Sequence, residues 1–170
     1  LGIDIINHKD KDKRIRFKHI DANSFFLKNR VKYDLILIKQ TIHLLNFKEI
    51  RKVLSLATKN LSSKGKILIF TLDTNNELPT FKLMKIQLAK SLDRDKKILR
   101  LITKLYSLKK KKFVFKVRIR KKEYLSMVQK RYISVLLNIT FHEIQKGLNE
   151  INNKYKKIIK FRDKLICLIL

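Results

Sequence analysis

Apolar residues occupy both faces of the stretch 33–39, "YDLILIK", running without a break from Leu35 to Ile38. A strand apolar on both sides belongs inside a parallel sheet covered by helices above and below. Residues 1–6, "LGIDII", read as another strand, and "IRFKHID" at 15–21 alternates apolar and basic positions as a half-buried strand does. Between them "NHKDKDKR" reads as a solvated charged loop. Asn46 and Glu49 have capping-box spacing, and Ile50, Val53, Leu54, Ala57 and Leu61 then recur on one helical face. "SSKG" predicts the end of that helix, and "KILIFTLD" at 66–73 the next buried strand. Strand, helix, strand in this order predicts a parallel crossover and an α/β sheet.

Farther along, residues 79–108 carry two helical patterns, one marked by Phe81, Met84 and Leu88, the other by Ile98, Ile102 and Leu105. Lys109–Lys112 read as a solvated turn. Phe113, Phe115, Val117 and Ile119 then alternate with Lys116, Arg118 and Arg120, as in a strand with one basic face. "KEYLSMVQKRY" reads as helix, and Thr140 with Glu143 predicts a capped helix through Ile144, Leu148 and Ile151. "YKKIIKFRDKLICLIL" reads as two strands around Arg162–Asp163, paired antiparallel at the sheet edge. Without repeats or a Pro/Gly/Ser-rich linker, residues 1–170 read as one domain.

Ligands of open α/β sheets bind outside the carboxyl ends of the strands. Asp4 and Asp21 lie at such ends, which makes them binding candidates, whereas Asp34 begins its strand and reads as structural. His43, just past the third strand, could act as a base or merely pack and cap. Tyr124 and Arg131 fall on a helix that could face a substrate, with packing or solvation as the plainer roles.

Composition changes this picture in two places. The net charge of +28 suggests an anionic partner, but it comes from 32 lysines against 10 arginines, beside 23 isoleucines and 11 asparagines. Those are the residues of A/T-rich codons, so the expectation is basic charge spread around the surface. One continuous stripe through Lys116, Arg118 and Arg120 would reverse it. Cys167, the single cysteine, sits in "KLICLIL" as a core thiol, so no disulfide framework or thiolate metal site is expected. No apolar run reaches the ~18 residues that span a bilayer. A reducing, cytoplasmic setting without membrane or metal is the default.

Taken together, "LGIDII", "FKHIDAN", "YDLILIKQTIHLL" and "LSSKGKILIF" resemble the class I S-adenosylmethionine-dependent methyltransferases, entered at their second strand. The resemblance implies a Rossmann-like sheet, mostly parallel with an antiparallel C-terminal strand and helices on both faces. It assigns Asp4, with neighbouring Ile5, to the cofactor's ribose hydroxyls, and Asp21 with the Ala22 N–H to the adenine. Ile38 and Lys39, running on to Gln40, would lie beneath the methionine part. Lys39 would then have to turn its charge away from the sulfonium. One family glycine is replaced by Lys64, and the closing "FRDKLICLIL" resembles the final strand.

The family's central first strand and its glycine-rich turn have no counterpart, and no Gly-x-Gly occurs in the chain. By resemblance the chain is therefore an N-terminally truncated methyltransferase domain, a fragment with residues 79–150 as a largely helical, substrate-side insertion. The implied cofactor is S-adenosyl-L-methionine. The methyl acceptor is unidentified, a small molecule being favoured over nucleic acid, and no catalytic residue is assigned. The alternative is a non-catalytic, basic, RNA-associated α/β domain.

Overall fold

The computed structural model describes residues 1–7 and 13–170, so the middle of the expected charged loop at 7–14, residues 8–12, lies outside the described residues. The doubly apolar stretch forms β3 (Tyr33–Lys39), which runs parallel to β4 (Leu61–Leu72). Between them a single 3-10 turn (Ile42–Leu44) leads into α2 (Phe47–Lys59). Both arms of its expected capping box are present: Glu49 N–H donates to Asn46 Oδ1 at 2.9 Å, and Asn46 N–H donates to Glu49 Oε2 at 2.7 Å.

Asn60 alone separates the helix from β4, so "LSSKG" is the bulged entry to a strand and not a turn. Tyr33 pairs with Leu61 but Leu35 with Lys66, and the surplus residues bow outward between. Gly65 is required there, because a Cβ on it would stand 2.6 Å from the Tyr33 carbonyl oxygen.

Two short strands, β1 (Gly2–Asp4) and β2 (Phe17–His19), pair parallel with each other and form a separate two-stranded sheet. Short α1 (Ala22–Lys28) follows and packs Phe25 and Phe26 into the core shared with α2. The main sheet has the order β3-β4-β6-β5, with β6 (Ile158–Ile169) antiparallel to both neighbours and β5 (Lys109–Arg120) at the edge. Two of the four strand pairings are therefore antiparallel, and the expectation of a mostly parallel sheet is corrected to a mixed α/β arrangement.

Three further expectations change. Lys109–Lys112 are the first residues of β5, since their backbones continue the ladder opposite Ile169–Ile166 and exposed lysines suit an edge strand. The closing segment is one strand, because Arg162 and Asp163 pair with Lys116 and Phe115 without interruption. The two helical patterns of 79–108 belong to one long helix, α3 (Lys82–Leu105), whose ends pack into different cores.

Ile36, Ile67, Ile69, Ile166 and Leu168 form the sheet side of the first core, beneath α2 and the second half of α3. On the opposite face, α4 (Lys121–Gln129) sets Tyr124 edge-on to Phe161. α5 (Phe141–Lys154), with its Thr140–Glu143 cap, closes the second core together with the first half of α3. Helices thus lie on both faces, yet part of one face stays open, where Leu35 and Leu37 are 55% and 56% exposed.

Candidate functional site

Parallel strands end on the same side, so β1 and β2 place two sequence-predicted acids at neighbouring strand ends. Asp4 ends β1 directly beside His19 of β2, and its backbone carbonyl accepts the Ile20 N–H at 2.9 Å. Its carboxylate Oδ1 accepts the Ile6 N–H at 2.9 Å, turning the chain away from the strand. Across this edge His19 Nε2 contacts the Ile5 carbonyl oxygen at 2.7 Å.

Asp21 follows one residue after Ile20 and is the N-cap of α1, its Oδ1 accepting the Ser24 N–H at 2.9 Å. The Ser24 hydroxyl, followed by Ser24's backbone N–H, holds the Asp21 carboxyl below its ordinary value, so it is ionised at neutral pH. Ala22 is the first residue of α1. Asp34, by contrast, accepts the Ser62 hydroxyl at 2.6 Å across the strand bulge, the structural role expected of it.

At the end of β3, Ile38 is half-buried opposite Ile69, and exposed Lys39 points to the other face opposite Phe70. Gln40 comes next with φ of 52°, a left-handed conformation uncommon for a residue with a Cβ. Its N–H donates to the Phe70 carbonyl at 2.9 Å, which fixes the bend. Strain of this kind persists only where surrounding contacts over-determine it. Replacing Gln40 with valine should cost about 1–2 kcal/mol, while glycine should cost nothing measurable. Urea unfolding of the two variants checks the difference.

On the buried side of α3 lies a group that the sequence reading missed. Asp95 is 4% exposed, on the buried stripe of α3 that carries Met84, Leu88, Ile98 and Ile102. The Thr71 hydroxyl approaches its Oδ2 at 3.5 Å, and its Oδ1 has no hydrogen-bond partner among the described residues. Burial pushes the Asp95 carboxyl up, against the opposing charges of His43 and Arg94. His43 is half-buried in the 3-10 turn after β3, and no described hydrogen bond commits its ring. The signal for Asp95 was a carboxylate at a core position of a helical stripe, where leucine or isoleucine would ordinarily stand.

The remaining candidates are structural. Tyr124 is buried and donates to the Pro79 carbonyl at 2.5 Å, and burial raises its hydroxyl well above the ordinary value. Arg131, with φ of 56°, donates to the Ile139 carbonyl at 3.0 Å and ties two turns together. Cys167 is buried, and burial pushes its thiol up. Among the described residues no three His, Cys, Asp or Glu side chains gather as metal ligands, and no helix is long and apolar enough to cross a membrane.

No family model and no curated protein matches the chain. Among solved structures it is similar to the plantazolicin methyltransferase BamL, in complex with a triazolic desmethylPZN analog and SAH, at 14% identity and a TM-score of 0.36. The alignment covers 89% of this chain and 59% of that one, so the chain spans under two thirds of that structure's length. A likeness at this level decides neither fold nor chemistry.

Proposed function

We propose that this chain is part of a Rossmann-like, S-adenosylmethionine-dependent methyltransferase, with the cofactor site at the carboxyl ends of β1, β2 and β3. The observation that carries the reading is a break in the sheet. β1 and β3 have no ladder with each other, and among the described residues each pairs on one edge alone. The resemblance calls for its central strand between the strands matched by β1 and β3. A parallel strand inserted there, supplied by chain beyond the 170 residues, would satisfy both rows of backbone groups and join the two sheets.

In this reading Asp4 accepts hydrogen bonds from both ribose hydroxyls, each such charge-assisted bond contributing about 1.5–3 kcal/mol. Asp21 and the Ala22 N–H take the adenine, and Ile5 flanks the ribose. Ile38, Lys39 and the bend at Gln40 run beneath the methionine part, with the Lys39 ammonium directed away from the sulfonium. Transfer itself is a displacement at the sulfonium methyl, in which the protein chiefly aligns donor and acceptor. The site has no floor without the inserted strand.

Isothermal titration with S-adenosylmethionine tests this on the 170-residue chain and on a version extended with its natural upstream coding sequence. The short chain should bind weakly or not at all and the extended one tightly, and Asp4→Ala should weaken the extended protein at least tenfold. Tight binding by the short chain, or an Asp4→Ala variant of unchanged affinity, would remove the proposal.

A further inference from the structure

The strand register turns a dispersed-looking charge into a surface. Every even-numbered residue of β5 from 110 to 120 is basic except Val114, and alternation puts those side chains on one face of the sheet. β6 supplies matching cations, because Lys160 stands directly opposite Arg118 and Arg162 directly opposite Lys116, with Lys164 opposite Val114. Cross-strand partners share a face, so the two rows merge. Codon bias explains how many lysines the chain has but not why one face of two paired strands collects them, and the expectation of evenly scattered charge is corrected here.

Toward the start of β5 the same face deepens into a cavity of about 500 Å³ against α3, lined by Lys110 and Lys112 from the strand and by Lys96, Arg100 and Lys104 from the helix. Those three lie four residues apart, on one helical edge. Asp73 is the cavity's acid, 3.3 Å from Lys112. Burial alone would raise its carboxyl, but the Asn75 N–H and Lys112 together hold it below the ordinary value, and it offsets one charge. Glu77 contacts Arg162 and Lys164, and Glu123 contacts Arg120. Among the described residues no carboxylate lies within ion-pair distance of Lys110, Lys116, Arg118 or Lys160.

From this geometry we infer that the β5–β6 face and the cleft beside α3 bind the phosphate backbone of a nucleic acid. Cations two residues apart on a strand are about 6.8 Å apart, twice the ~3.4 Å rise per phosphate of a stacked strand, so the row can follow alternate phosphates. From residue 110 to 120 it spans about 34 Å, roughly ten nucleotides. Among the described residues, Val114 and Ile158 are the exposed apolar residues on this face, and no aromatic ring lies among its cations. Backbone contact without base stacking gives binding that ignores sequence. The same scarcity of apolar anchors disfavours insertion into a bilayer surface. The face lies at the β5 edge of the sheet, on strands that make no ladder with β1 or β2, and stands whether or not the cofactor reading does.

Fluorescence anisotropy with labelled 20-nucleotide RNA and DNA, across a salt series, tests the inference. Both should bind, and the triple variant Lys116→Gln, Arg118→Gln, Lys160→Gln should lose about tenfold or more in affinity, with a salt slope shallower by about 2. A control of equal charge change on exposed α2 positions, Lys48→Gln, Lys52→Gln, Lys59→Gln, should stay within about twofold. Thermal melts confirm that each variant is folded. Equal losses in both triples, no binding to either polymer at low salt, or a loss seen with anionic lipid vesicles and not with nucleic acid would each overturn the inference.

Discussion

Gly147→Ala should destabilise the protein by about 3 kcal/mol, although alanine is the better helix former. Gly147 is buried in α5, and a Cβ there would stand 2.4–2.6 Å from three ring atoms of Phe81. Phe81 is itself 3% exposed at the start of α3, so its ring cannot swing into solvent without opening the second core. Helix propensity returns about 1 kcal/mol, and overpacking of a closed core costs 1–3 kcal/mol or more, so the steric effect wins. Phe81→Leu in the same protein should recover part of the loss, because the two residues share one contact. Guanidinium unfolding of the four variants measures the coupling. An additive cycle would show that the contact is not what makes glycine necessary.

The helix caps and the interior strands were legible because each rests on local rules: Asn46 with Glu49, Thr140 with Glu143, and the doubly apolar Leu35–Ile38. Misreadings fell where tertiary pairing overrides local signals. Four consecutive lysines look like a turn until β6 is placed beside them, and Arg162–Asp163 look like a hairpin until both prove to continue a ladder. Asp4 and Asp21 were legible as acids at strand ends. That their strand ends are neighbours depends on the parallel pairing of β1 with β2, which no short-range pattern encodes. Asp95 was hidden for the opposite reason. Its helical stripe is marked in the sequence by apolar members alone, and within "DRDKK" the acid looks like one more exposed charge.

That buried carboxyl supplies the last expected result: Asp95→Asn should stabilise the protein at pH 7 by about 1–2 kcal/mol. An ionised Asp95 keeps one long contact to Thr71 and leaves Oδ1 without a protein donor, whereas asparagine carries no charge to desolvate. The sign follows from the direction of the shift. Burial raises the folded-state carboxyl above its unfolded value, so the folded protein holds the proton to higher pH than the unfolded chain does. Relative stability from this group is complete below the unfolded value, near 3.9, and is lost as pH rises through the folded one. The gain from Asp95→Asn should therefore be largest at neutral pH and shrink toward pH 4, the reverse of the behaviour of Glu77 and Glu143, whose carboxyls are lowered by their partners. Melting temperatures of wild type and variant between pH 4 and 8 decide it. A difference that is flat with pH would mean that the carboxyl titrates alike in the folded and unfolded states, and would overturn this account of Asp95. The expected growth of the gain with pH marks Asp95 as an acid kept in the core at a cost in stability, as acids at working sites are.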